Sequence, residues 1–103
     1  MINILIVDDD ERKRKAITEV LKSASGDKVV VMESSSAAAA VVLLQKHDVS
    51  LLIVDMNLPV MDGKAPIEDG GIRFLRQVLK SGASLKRPHH IVGLTAYEEL
   101  SST

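Results

Sequence analysis

Short apolar runs and stretches of helical periodicity alternate along the chain. Ile2–Val7 is a β-branched and aliphatic run, the pattern of a strand buried on both faces. From about Glu11 to Ser23, the apolar positions Ala16, Ile17, Val20 and Leu21 recur at helical spacing, while Arg12–Lys15 and Lys22 are polar. Gly26 and Asp27 break that helix. Lys28–Glu33, centred on three valines, predicts a second strand. Ser34–Ser36 then offer an N-cap for a helix reaching about Lys46. Val49–Val54 predicts a third strand, and Asn57 to Gly71, with two prolines and three glycines, reads as loop. Periodicity returns over Ile72–Ser81 through Ile72, Leu75, Val78 and Leu79. After a linker over Gly82–Arg87, Ile91–Leu94 predicts a fourth strand, and Ala96 to Leu100 the opening turn of another helix.

A β-α-β-α-β-α-β order calls for a parallel sheet with helices on both faces. In such sheets, ligands bind beyond the carboxyl ends of the strands. Composition narrows the classes of function. At 103 residues, 46% of them hydrophobic and 26% charged, a single folded domain is expected. The absence of cysteine excludes disulfides, cysteine-ligated zinc and a thiol nucleophile. A net charge of −1 makes no electrostatic case for nucleic acid, and Phe74 and Tyr97 are too few for a base-stacking platform. The longest apolar run, Ala37–Leu44, is too short to cross a membrane, and the expected location is the cytoplasm.

The chemistry concentrates at predicted strand ends. Strand one runs into Asp8, Asp9 and Asp10, strand three into Asp55, and strand four into Thr95. If strands one and three are neighbours, Asp8, Asp9 and Asp55 converge, and their mutual repulsion is relieved by a hard divalent cation. Magnesium suits one or two carboxylates together with water and a substrate phosphate. A carboxylate beside it can act as a nucleophile on phosphorus, and Asp55, alone at its strand end, is the natural acceptor. Thr95 is placed to hydrogen-bond a phosphoryl oxygen. Acidic residues after a strand also serve as plain turn formers or caps, which is the expected role of Asp10. The run Arg12–Lys15 reads equally as a solvated helix face and as a docking surface.

Three motifs, Ile4-Leu5-Ile6-Val7-Asp8-Asp9-Asp10, Leu52-Ile53-Val54-Asp55-Met56-Asn57-Leu58-Pro59-Val60-Met61-Asp62-Gly63 and Val92-Gly93-Leu94-Thr95-Ala96-Tyr97, resemble the receiver domain of two-component response regulators. The resemblance covers essentially the whole chain. It implies a doubly wound, flavodoxin-like α/β fold with strand order 2-1-3-4. It implies Mg2+ as cofactor, bound directly by Asp9, mostly through water by Asp8, and by Asp55 and the Asn57 backbone carbonyl. Asp55 would accept the phosphoryl group from a histidine kinase or histidine-phosphotransfer protein, and Thr95 would be the switch hydroxyl beside the small Ala96. Catalysis would amount at most to self-phosphorylation from phosphohistidine and slow self-dephosphorylation.

Two departures accompany the resemblance. The chain ends before the family's fifth strand and helix, so the lysine borne on that strand has no counterpart, and neither Lys64 nor Lys86 matches it. The domain, residues 1–103, is therefore expected to be incomplete at its C-terminus, with an exposed fourth strand that can support a homodimer. Second, Lys64–Gly70 intervenes before the third helix, where it can alter access to the site. A contrasting expectation is a pseudo-receiver that works as an interaction or dimerisation module without productive phosphorylation. A hydrolase using the same carboxylates lacks any sign of a substrate pocket or general base.

Overall fold

The structure is a computed structural model and describes residues 1–81, 85 and 87–94. Strands β1 (Ile2–Val7), β2 (Val29–Ser34), β3 (Leu51–Asp55) and β4 (His90–Leu94) form one parallel sheet in the order β2-β1-β3-β4. Helices α1 (Glu11–Ser25), α2 (Ala37–Lys46) and α3 (Gly70–Lys80) connect them. Thr95, Lys86 and the helical turn expected over Ala96–Leu100 lie outside the described residues.

The period-two geometry of a strand divides the aliphatic run of β1 between two cores. Leu5 and Val7 face α2 and α3, where they pack with Ala40, Leu44, Leu52, Val54, Phe74 and Val78. Ile4 and Ile6 face the other way with Ile53, against Ile17 and Leu21 of α1. Helices thus cover both faces, as the β-α alternation requires.

Helix ends follow their local chemistry. Asp10 caps α1, its Oδ1 accepting from the N–H groups of Arg12 at 3.0 Å and Lys13 at 3.3 Å. Ser36 Oγ accepts from Ala39 N at 3.2 Å at the start of α2. The first N–H groups of that helix, on Ala37 and Ala38, donate to the carbonyls of Pro59 and Val60. The segment after β3 is thereby tied to α2.

Several expectations are corrected. Val20, read as facing the core, is 68% exposed, and α1 contains no fully buried residue. In α3, Ile72 and Leu79 are exposed, and the buried line runs through Gly71, Phe74 and Val78. Phe74, the largest fully buried side chain among the described residues, sets that helical phase. Lys28 closes a single 3-10 turn over Gly26–Lys28 instead of opening β2. Val49 is buried but precedes β3, where its carbonyl accepts from His89 N. In keeping with the expectation of an exposed fourth strand, Ile91 and Val92 of β4 are exposed. No helix among the described residues is long and apolar enough to cross a membrane.

Candidate functional site

Val7 pairs with Val54 across β1 and β3, so Asp8 and Asp55 are the next residues out on adjacent strands. Parallel pairing brings the carboxyl ends of both strands to one edge of the sheet. Asp8 is fully buried there, and its backbone N–H donates to Ser34 O at 3.0 Å, continuing the ladder with β2. Its Oδ1 accepts from Asp10 N at 2.9 Å, which turns the chain into α1 and leaves Asp9 exposed at the mouth. Arg14 Nη1 donates to the Asp8 carbonyl while its Nε pairs with Glu33 at 3.1 Å, fastening α1 to the end of β2.

Asp55 is the last residue of β3 and only 9% exposed. Asn57 N donates to its Oδ1 at 3.1 Å, which orients the carboxylate. The Met56 carbonyl accepts from Gly71 N at 2.8 Å, holding α3 against the same turn. A Cβ on Gly71 would collide with the Asp55 carbonyl and fall 2.7 Å from Met56 Cα. Only glycine permits this approach.

One carboxylate oxygen from each of Asp8, Asp9 and Asp55 lies within 4.8 Å of the others. Burial pushes the Asp55 carboxyl above its usual range, and the Asp8 charge adds to the rise; the Asn57 hydrogen bond and the Lys13 ammonium oppose it. Lys13 Nζ stands 3.0 Å from Asp8 Oδ2. Burial alone would lower Lys13, but its close pairing with Asp8 and the charges of Asp8, Asp55 and Asp10 carry it above the usual lysine value. Despite that ion pair, Asp8 Oδ2 is buried without a well-directed hydrogen bond. The Lys13 ammonium is the charged partner of that buried oxygen, which keeps lone-pair capacity for a cation or its water. All-oxygen donors on three converging carboxylates fit a hard cation such as Mg2+, which retains several waters.

The expected cluster of Asp8, Asp9, Asp55 and Asn57 lines a single cleft. Asn57 is exposed beside it, while Thr95 is not among the described residues. Lys13, from the basic run Arg12–Lys15, and Pro66 and Glu68, from the Lys64–Gly70 segment expected to alter access, also line the cleft. Pro66 and Glu68 belong to the segment between Gly63 and Gly71. Gly63, at φ 81°, turns the chain there, and Ile67 pairs antiparallel with Leu58, folding the segment back along the site. Lys13 comes from the first turn of α1, four residues after Asp9, within a run of four cations whose spacing does not set it apart. Lys64 does not line the cleft.

The response regulator receiver domain family matches residues 4–102. The chain belongs to that family. Among solved structures, this receiver is similar to the MaeR response regulator bound to beryllium trifluoride, with TM-score 0.71 and 22% identity over 97% of this chain and 77% of that one. It is similar also to the chemotaxis response regulator CheY4 of Vibrio cholerae, with TM-score 0.68 and 24% identity over 98% and 76%. At these identities the likeness shows the receiver fold. An uncharacterized protein of Sinorhizobium fredii, y4jS, is 40% identical over 53 residues, which is 52% of this receiver and 13% of that protein. The receiver therefore spans only a small part of the curated relative that it matches.

Proposed function

We propose that the domain accepts a phosphoryl group on Asp55 from a partner's phosphohistidine, with Mg2+, and that phosphorylation alters which partner its surface binds. The observation that carries this reading is the convergence of the Asp8, Asp9 and Asp55 carboxylates within 4.8 Å, with Asp55 facing the cleft. An Asp55 carboxylate oxygen attacks phosphorus, an O–P bond forms, and the N–P bond breaks with its electron pair passing to the imidazole nitrogen. Asn57 N, already donating to Oδ1, leaves Oδ2 of Asp55 as the attacking atom. Asp9 would hold the cation directly, Asp8 mostly through water, and Asp55 and the Asn57 carbonyl would complete the protein donors. Bound Mg2+ supplies neutralisation of phosphoryl charge. Thr95, next in sequence after β4, is proposed as the hydroxyl that bonds a phosphoryl oxygen and starts the switch. Histidine kinases or histidine-phosphotransfer proteins are the proposed donors, in the cytoplasm. MaeR, bound to beryllium trifluoride, supports the reading by analogy of fold.

The test is incubation with a small phosphodonor and Mg2+, followed by peptide mapping. The adduct is expected on the peptide containing Asp55 and is expected not to form when EDTA is present during the incubation. A second reading, a pseudo-receiver used for protein interaction alone, draws support from Glu68, which adds a carboxylate to the cleft wall. A folded protein that binds Mg2+ but takes no phosphoryl group would favour that second reading.

A further inference from the structure

We propose that Lys13 is the resident counter-cation of the acidic cleft, and that a divalent cation must displace its ammonium from Asp8 in order to bind. This inference rests on the Mg2+ reading above and concerns what opposes binding at that site.

Four cationic side chains follow one another on the first turns of α1, and their engagements differ. Arg14 and Lys15 pair with Glu33 at the end of β2, at 3.1 and 3.3 Å. Arg12 is exposed. Lys13 alone of the four lines the cleft with Asp8, Asp9 and Asp55. Its Nζ lies 3.0 Å from Asp8 Oδ2; the Lys13 side chain is 37% exposed and that of Asp8 only 1%. The backbone explains the placement. Asp10 caps α1 through the N–H groups of Arg12 and Lys13, which fixes the first turn of the helix beside the end of β1. From there the lysine reaches the buried carboxylate of Asp8.

Three converging carboxylates repel one another, and an ammonium anchored on a neighbouring helix reduces that cost when no metal is bound. The oxygen that Lys13 holds is the same buried Oδ2 that lacks a directed hydrogen bond, so it is also the oxygen that a cation or its water would take. The ammonium and the divalent cation are therefore alternatives at Asp8. Because the ammonium is partly solvated, it can leave for water without stranding a buried charge. Lys13 thus sets the affinity of the cleft for its cation, holding it below what three carboxylates alone would reach.

The experiment is calorimetric titration of MgCl2 into the wild type, Lys13→Met and Lys15→Met at one fixed ionic strength. Circular dichroism and thermal melts without metal check that each variant folds. Lys13→Met is expected to bind Mg2+ about three- to fivefold more tightly, the size of a partly exposed ion pair. Lys15→Met removes the same charge from the same helix but away from the cleft, and its affinity is expected to match the wild type. The melting temperature of Lys13→Met should also rise more on saturation with Mg2+ than that of the wild type. If Lys13→Met does not fold without metal, Lys13→Gln replaces it in the same titration. Equal or weaker binding by the Lys13 variant, or equal tightening by both variants, would overturn the proposal while leaving the Mg2+ reading in place. Failure of the wild type to bind Mg2+ would instead overturn that underlying reading, and this inference with it.

Discussion

The backbone N–H of Asn57 donates to Asp55 Oδ1 at 3.1 Å, so the carboxylate at the end of β3 is aimed by a residue only two positions further along the chain. The turn that makes this bond is held from outside. Met56 N donates to Leu94 O on β4, and Met56 O accepts from Gly71 N on α3. The acceptor therefore stands on a backbone clamped on both sides, and its direction does not depend on a long, mobile side chain.

Gly71→Ala tests that clamp. The added methyl meets the Asp55 carbonyl and the Met56 backbone, so either α3 or the turn has to shift. The expected cost is about 1–3 kcal/mol of stability, measured by urea denaturation. The yield of phosphorylated Asp55 should fall with it, because the attacking oxygen loses its alignment.

Asp55→Asn should raise the melting temperature at neutral pH in the absence of divalent ions. Burial, with the Asp8 charge, lifts the folded-state pKa of Asp55 above 3.8. A raised pKa means that the contribution of this group to stability is complete below the unfolded value and is lost as pH rises through the folded one. The advantage of the Asn variant should accordingly grow across that window and be absent below about pH 3.8. Thermal melts of both proteins from pH 3 upward, with EDTA present, check the sign.

Asp10→Ala should cost about 1 kcal/mol through loss of the cap on α1. The same carboxylate makes the first turn that carries Lys13 and Arg14, so amide hydrogen exchange should increase at the start of α1 more than in α2 or α3.

Glu68→Gln should speed phosphorylation by an anionic small-molecule donor about two- to threefold at low ionic strength, since one negative charge leaves the cleft wall. The gain should shrink as salt is added, because Glu68 is exposed. Initial rates at two salt concentrations provide the check.

Much of this arrangement was legible in the residues themselves. Aliphatic runs interrupted only by Asn3 and Ser50 marked β1 and β3, and parallel pairing then required Asp8 and Asp55 to meet at one edge. Harder to see was which side of each helix faces inward. Ile72 and Leu79 satisfy helical periodicity as well as Phe74 and Val78 do, and only packing around Phe74 chooses between them. Lys13 was hidden for a related reason. In a run of four cations nothing local separates the residue that turns to the cleft from those that turn to Glu33; that depends on how α1 lies across the ends of β1 and β2. Pro66 and Glu68 reach the cleft because Ile67 bridges to Leu58, a pairing across a turn that no repeat of polar and apolar positions signals. Thr95, read as the switch hydroxyl, falls beyond β4 and outside the described residues.

Whether Asp55 is a phosphoacceptor is tested most directly by intact-mass measurement under mildly acidic conditions. Wild type and Asp55→Asn are incubated side by side with Mg2+ and a small-molecule phosphodonor. One phosphoryl group is expected on the wild type and none on the variant. An adduct of equal yield on both proteins, or none on a folded wild type that binds Mg2+, would contradict that role for Asp55.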